Sequence, residues 1–264
     1  MQVNYHTHTW RCNHAEPDER AYIESAIANG VKVLGFSDHT PYPFPDGHTS
    51  WFRMSVEEAP RYFALIRQLR EEYKDRIEIH VGVEAEYYPA VFPALLELLR
   101  EQQCEYMLLG QHYLFNEEES IYSATATDDP ARLIQYVDQT IEGMATGLFT
   151  YLAHPDLIHF TGDESLYRLH MRRLCRAARE LDMPLEMNLL GFHDKRHYPN
   201  RRFWELAGEE GNRAVLGYDA HSPAAFTWRE LEDQGRRLLA DVGLTPEEHL
   251  CTAGLVPWAE WSRP

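Results

Sequence analysis

Length, composition and charge narrow the possible functions. The chain has 264 residues, 44% of them apolar, which is enough for a large buried core. Its 42 acidic and 25 basic side chains give a formal net charge of −17, which opposes binding to a nucleic-acid backbone. No apolar run approaches the roughly 18 to 20 residues that cross a bilayer, so no membrane partner is expected. The start of the chain has neither a basic flank nor an apolar signal core, which predicts a cytoplasmic location.

Short apolar runs alternate with longer amphipathic segments, a pattern that predicts βα units and a mostly parallel sheet. Seven strands are predicted, at residues 3–8, 31–37, 77–83, 106–110, 149–153, 184–189 and 214–218. Helices are predicted at 15–29, from 55 onward, and at 92–102, 130–146, 163–181 and 203–210, with two short ones after 222 and 245. No linker or repeat interrupts the chain, so a single domain over residues 1–264 is expected.

Several helix ends and faces carry specific signals. Ser55 and Glu58 have the spacing of a capping box. Asp129 precedes a proline in the first helical position. The helix at 163–181 is expected to bury four leucines, at positions 166, 169, 174 and 181. Thr245 with Glu248 predicts the cap of the last short helix.

Potential metal ligands stand at the ends of six of the seven predicted strands. They are His6, His8, His39, Glu84, His112, His154, Asp219 and His221. The carboxyl ends of parallel barrel strands meet at one mouth, so these side chains are expected to lie together, with His14 beside them. Nine such groups are too many for one ion and enough for two or three. Imidazole and carboxylate suit zinc, manganese or iron, and the four cysteines are scattered without a paired set.

The pattern as a whole resembles one known family. The matching motifs are His6-Thr7-His8 with His14, Asp38-His39, Glu84, His112, His154-Pro155 and Asp219-Ala220-His221. They resemble the PHP (polymerase and histidinol phosphatase) superfamily, and residues 82–87, 109–112 and 152–157 resemble its histidinol-phosphatase branch. The resemblance implies an α/β fold, a distorted (β/α)7 TIM-like barrel with the metal site at the C-terminal ends of the strands.

The resemblance also implies how three divalent ions (zinc, iron or manganese) would be shared. His6, His8, Glu84 and Asp219 would hold the first ion. Glu84 would bridge to a second ion on His112 and His154, and His14, His39 and His221 would hold the third. Cys12, between two ligands, is interpreted as loop filler.

The expected activity is that of a metal-dependent phosphomonoesterase, most specifically hydrolysis of histidinol phosphate to histidinol in histidine biosynthesis. A hydroxide that bridges the ions would attack phosphorus in line, with Glu84 as the bridging carboxylate. Asp219 or His221 would protonate the leaving oxygen. Asp38 is interpreted either as a partner that orients a ligand or as a cap at the strand end.

Substrate-binding residues are expected on the loops around the mouth. Arg53 and Arg196 are the candidates for phosphate because of their bidentate fork. Trp51, Phe52 and Tyr113 could wall an imidazole pocket or pack as loop residues, and the acidic run 117–119 could meet an amino group or be solvated. Three alternatives stay open: a phosphatase for other small esters, a phosphodiesterase, and a non-enzymatic metal-binding module. The sequence makes no prediction about the oligomeric state.

Overall fold

The computed structural model describes residues 1–16, 18–117 and 121–247. Seven strands in these ranges form one parallel sheet whose spatial order is the chain order. The strands are β1 Val3–Asn4, β2 Val33–His39, β3 Glu78–Ala85, β4 Met107–Leu109, β5 Tyr151–Leu152, β6 Leu185–Asn188 and β7 Ala214–Gly217. A parallel bridge between Thr7 and Ala220 links the first strand to the last, so the sheet forms a nearly closed barrel.

Helices connect the strands around the outside of the barrel. They are α1 Glu19–Ala28, α2 Ala59–Tyr73, α3 Phe92–Glu101, α4 Pro130–Ala145, α5 Glu164–Glu180, α6 Leu189–His193, α7 Arg201–Glu210 and α8 Arg229–Asp241. Two short 3₁₀ helices lie at Trp10–Cys12 and Pro223–Thr227. The distorted (β/α)7 barrel expected from the sequence is therefore confirmed.

The barrel closes through a polar side chain as well as through backbone pairing. Asn4 Nδ2 donates to His6 O at 3.0 Å and to Thr7 Oγ1 at 2.8 Å. Its Oδ1 accepts from the Tyr218 backbone N–H at 2.9 Å. The bond to Tyr218 ties β1 to the backbone directly after β7. The ladder with β2 includes only Val3 and Asn4, so β1 ends at Asn4 although residues 3–8 were predicted as a strand.

Two helix predictions need correction, and one is confirmed. No capping box forms, because α2 begins at Ala59 after Glu58 without a side-chain cap, and Glu58 instead pairs with Arg11 at 3.4 Å. Leu169 in α5 is 57% exposed, and Leu181, directly after α5, is 43% exposed. The helix buries Tyr167, Met171, Leu174, Cys175 and Ala178. Asp129 does cap α4, accepting from Ala131 N at 2.9 Å.

Two predicted features fall partly outside the described residues. The predicted Thr245–Glu248 cap includes Glu248, which lies outside the described residues, as do positions 118 and 119 of the acidic run. Within the described part of the chain, every helix is too short or too polar to span a bilayer.

Candidate metal centre

Glu84, at the end of β3, lies at the middle of a histidine cluster in the mouth of the barrel. Its side chain is 1% exposed. The nitrogens around Oε2 belong to His39 at 3.1 Å, His8 at 3.5 Å and His6 at 3.6 Å. Those around Oε1 belong to His154 at 2.8 Å and His112 at 3.5 Å. One carboxylate thus contacts five ligand candidates from four strand ends or the segments that follow them.

Asp219 forms a second focus next to Glu84. Its Oδ1 lies 3.1 Å from His8 Nε2 and 3.4 Å from His6 Nε2. His221 and His14 complete the cluster, with their Nε2 atoms 3.0 Å apart. All nine predicted ligands therefore come together at one end of the barrel.

The donor atoms form compact sets that fit the requirements of metal ions. Five sets with mutual distances within 4.8 Å occur among the described residues, and they include His6–His8–Asp219, His14–His39–His221 and His6–Glu84–His154. Several buried atoms that face one another have no hydrogen-bond partner: His6 Nε2, His8 Nε2, His39 Nδ1, Glu84 Oε2 and Asp219 Oδ1. Buried polar atoms are ordinarily hydrogen-bonded, so a convergent group of unsatisfied ring nitrogens and carboxylate oxygens fits divalent cations.

The outer ring nitrogens of four of these histidines are held by oxygen atoms. His6 Nδ1 lies 2.7 Å from Glu186 Oε1, and His112 Nδ1 lies 2.8 Å from Glu86 Oε1. The other two contacts are His14 Nδ1 to Cys12 O at 2.6 Å and His221 Nδ1 to Asp219 O at 3.0 Å. Such contacts fix the ring and leave the inner nitrogen for a cation. His8 Nδ1 lies 3.5 Å from Asp38 Oδ1 without a hydrogen bond. Asp38 accepts from the His39 backbone N–H at 2.8 Å, so both interpretations of Asp38 agree with its contacts.

Glu86 and Glu186 were not recognised as site residues from the sequence. Both are fully buried carboxylates. For Glu186 a signal existed, since an acidic residue inside an apolar strand must find a buried partner. Glycines make room for the neighbouring acids, because a Cβ at Gly110 would overlap Glu84 and one at Gly217 would overlap Glu186.

The charges within the cluster shift the pKa values of its members. Burial opposes ionisation of Glu84, but the charges of His112 and His6 outweigh it and hold the pKa of Glu84 well below its usual value. Burial alone would lower the pKa of His6 and of His8, but nearby carboxylates outweigh it and raise the pKa of each well above its usual value. Burial and the charge of His8 lower the pKa of His221 to about 4. This contrast among neighbouring histidines is typical of a functional site.

Cys12 is closer to the centre than the interpretation as loop filler implies. Its side chain is fully buried, and its Sγ lies within 4.8 Å of ligand atoms of His8 and His221. Burial raises the pKa of the Cys12 thiol, but hydrogen bonds with His14 and His8 outweigh it, and the net shift is downward.

A cavity of about 520 Å³ opens over the cluster. Its floor includes Glu84, Asp219 and five of the histidines. The wall residues are Trp51, Phe52, Tyr113, Tyr122, Leu190, His193, Asp194, Arg196, Tyr198, Ser222 and Trp228. The three aromatic residues predicted as a possible pocket wall do line this space.

Arg196 lies on the rim of the cavity, as expected. Its Nη2 donates to Asp194 Oδ2 at 2.6 Å and its Nη1 donates to the Tyr198 hydroxyl at 2.7 Å. The side chain is still 37% exposed, so the guanidinium remains accessible from the cavity. The neighbouring Tyr198 ring lies 6.0 Å from the ring of His154, which places the arginine near the cluster.

Arg53 does not lie at the rim, and this corrects its predicted role in substrate binding. Its side chain is 1% exposed and pairs with Glu86 at 2.8 Å and with Glu117. Glu117 is correspondingly buried, so it is neither a solvated charge nor available to a ligand's amino group. The two carboxylates allow the guanidinium to be buried, because a single unpaired charge would lose its hydration at a large cost in free energy.

The PHP domain family model matches residues 4–189, which contain seven of the nine ligand candidates. The chain belongs to the PHP family. It is 27% identical over 255 residues to a probable histidinol-phosphatase from Deinococcus radiodurans, covering 88% of this chain and 93% of the relative. A probable histidinol-phosphatase from Schizosaccharomyces pombe is 26% identical over 263 residues, with 84% and 81% coverage. The family predicted from the sequence is thus confirmed.

Solved structures support the fold independently. A crystal structure of the histidinol phosphate phosphatase of Lactococcus lactis, in complex with zinc, L-histidinol and phosphate, has a TM-score of 0.69. It is 19% identical, and the match covers 93% of this chain and 95% of that one. At this identity the likeness establishes the barrel fold.

Proposed function

We propose that this protein is a metal-dependent phosphomonoesterase that hydrolyses histidinol phosphate to histidinol and phosphate. The observation that carries the proposal is the convergence of seven histidines on Glu84 and Asp219 beneath a cavity with an arginine on its rim. The relatives named histidinol-phosphatase, which match over most of their length, support the choice of substrate. The proposal includes a cytoplasmic location and a biosynthetic role, for a chain that forms a single domain.

The residues would share three divalent ions, with zinc the first candidate because the Lactococcus lactis enzyme is complexed with it. His6, His8, Glu84 and Asp219 would hold the first ion. His112 and His154 would hold the second with Glu84, and His14, His39 and His221 the third. Bound divalent ions would lower the pKa of water and neutralise the phosphoryl oxygens.

The chain itself supplies the proton path. Burial opposes ionisation of Asp219, but the positive charges of His6 and neighbouring histidines hold its pKa well below the usual value. Burial and the charge of His8 lower the pKa of His221 to about 4. Asp219 would pass a proton from the attacking water to the leaving oxygen, and His221 is the other candidate for this role.

The rim would orient the substrate. Arg196 would bind phosphoryl oxygens through its fork, and Asp194 and Tyr198 hold that fork in place. Trp51, Phe52, Tyr113 and Trp228 also line the cavity and offer flat surfaces for an imidazole ring. The ring and the phosphate would thus contact different residues of the wall.

Steady-state kinetics on a panel of phosphate monoesters would test the proposal. The metal-loaded protein should prefer histidinol phosphate over p-nitrophenyl phosphate and over phosphoserine by more than about tenfold in kcat/KM, that is, roughly 1.4 kcal/mol. A smaller preference would favour a phosphatase for other small esters. Hydrolysis of a bis-ester such as bis(p-nitrophenyl) phosphate at a comparable rate would favour a phosphodiesterase.

A further inference from the structure

Arg53 lies between two buried carboxylates that come from different parts of the chain. Glu86 follows the end of β3, and Glu117 lies in the loop after β4. Arg53 Nη2 is 2.8 Å from Glu86 Oε2 and also bonds Glu117 Oε1. All three side chains are 2% exposed or less, so water contributes little to compensating their charges. We call Arg53, Glu86 and Glu117 the buried clamp.

One carboxylate of the clamp also contacts the metal cluster. While Glu86 Oε2 faces Arg53, Glu86 Oε1 lies 2.8 Å from His112 Nδ1. The opposite nitrogen, His112 Nε2, lies 3.5 Å from the shared carboxylate of Glu84. A single bridging residue thus connects Arg53 to a ligand candidate of the cluster.

The guanidinium makes further contacts with the floor and wall of the cavity. Arg53 Nη1 donates to Thr40 O at 2.9 Å, directly after His39. Thr40 in turn donates from its backbone N–H to Glu84 O at 2.9 Å. The guanidinium carbon lies 4.5 Å from the ring centre of Phe52, which lines the cavity. Arg53 therefore touches the supports of the metal ligands and one wall residue at the same time.

We propose that Arg53 is a positioning residue that fixes His112 through Glu86 and so stabilises the ion held by Glu84, His112 and His154. This inference rests on the proposed function, because it takes His112 as a metal ligand. Partners of ligating histidines set the ring orientation, and their loss commonly weakens metal binding about 10- to 100-fold. Arg53 acts one contact further out, by holding the partner itself.

Zinc release from the full-length, zinc-loaded protein to a chromophoric chelator would test this role. The main variant is the double substitution R53M/E117M, which removes one positive and one negative charge and so retains the net charge of the clamp. We expect one equivalent of zinc to leave at least about tenfold faster than from the unmodified protein. Arg53→Lys, which retains a single cationic contact with Glu86, should recover part of the retention.

Arg196→Met is the matched control, because it removes an arginine from the cavity without touching the clamp. It should leave zinc release unchanged while lowering activity. Circular dichroism and thermal melting would establish that each variant is folded before zinc is measured. A folded R53M/E117M protein with unchanged zinc content and release would overturn the role of Arg53 and leave the proposed function standing. Failure of the unmodified protein to retain zinc would overturn both.

Discussion

Two arginines that the sequence made equal candidates for phosphate occupy very different regions of the molecule. Arg53 lies in the segment after β2 and Arg196 in the segment after β6 and α6, yet one is 1% exposed and the other 37%. Arg53 contacts the two carboxylates of the buried clamp and the Thr40 carbonyl. Arg196 on the rim contacts one carboxylate, that of Asp194, and remains open to solvent and to the cavity. Whether a loop arginine can meet a substrate thus depends on how many acids the fold brings to it.

Substitution of Glu84 tests the candidate metal centre next to which both arginine regions lie, and it should have the largest effect. Glu84→Ala removes the carboxylate shared by five histidines. Several kcal/mol of transition-state stabilisation would disappear, so kcat should fall at least about 1,000-fold. Turnover of histidinol phosphate and metal content by mass spectrometry are the measurements.

Glu78→Gln is the control for that variant, because Glu78 begins the same strand but is 54% exposed. It should retain full activity and full metal content. Unchanged turnover of the metal-replete Glu84→Ala protein would contradict the proposed centre.

Arg196→Met tests the rim directly. The loss of a charged hydrogen-bonding partner for phosphate, about 3 kcal/mol at most, should lower kcat/KM by about 100-fold. Arg196→Lys should recover part of it, since an ammonium binds phosphate without the fork. Arg201→Met, which removes a 57% exposed arginine on α7, is the control. Equal kcat/KM for Arg196→Met and Arg201→Met would remove Arg196 from the site.

Glu186→Gln sharpens the comparison by weakening a second support, one that holds other histidines of the cluster than the clamp does. Glu186 holds His6 Nδ1 at 2.7 Å and accepts from the His154 backbone N–H at 3.1 Å. The amide keeps the shape but loses the charge, so metal affinity should fall about tenfold, the lower end of such effects. Zinc titration in competition with a chelator would measure it. An affinity equal to that of the unmodified protein would show that the charge of Glu186 is unimportant.

His80 offers the smallest effect, from a histidine outside the centre. Its burial lowers the pKa, but hydrogen bonds to Glu105 and Glu78 outweigh this and raise it above the usual value. A raised pKa stabilises the fold below the unfolded value of about 6.5 and ceases to do so as the pH rises through the folded value. His80→Gln should therefore destabilise the protein by less than about 1 kcal/mol at pH 5.5, and by less still at pH 9.

Thermal melting of the metal-free protein and the variant at both pH values would check this. His170 on α5, where burial and Arg173 lower the pKa, gives the opposite sign and serves as the comparison. A larger loss at pH 9 than at pH 5.5 for His80→Gln would contradict the assignment.

The barrel and the convergence of the nine ligand candidates could be predicted from the sequence, because both depend on local pattern. Apolar runs that end in His or acidic residues place the same atoms at the mouth whatever the loops do, as His39 and Glu84 illustrate. The supports were missed for the opposite reason. Glu186 meets His6 across 180 positions of sequence, and Arg53 meets Glu117 across 64, distances over which periodicity carries no information.

The helix faces show a similar limit. Counting leucines in α5 favoured Leu169, but the helix turns Tyr167 and Met171 toward the barrel instead. Large aromatic and sulfur-containing side chains fill the layer between α4, α5 and α7, and the leucine lies on the outer side. The periodicity predicted the helix, and only packing decided its rotation.

The measurement that tests the account most directly is kcat/KM for histidinol phosphate, made on protein stripped of metal with a chelator and on the same protein reloaded with zinc. We expect the stripped protein to be at least about 1,000-fold less active and the reloaded protein to recover its activity. Hydrolysis at an equal rate with and without metal would contradict the account, as would a fully loaded protein that leaves histidinol phosphate intact.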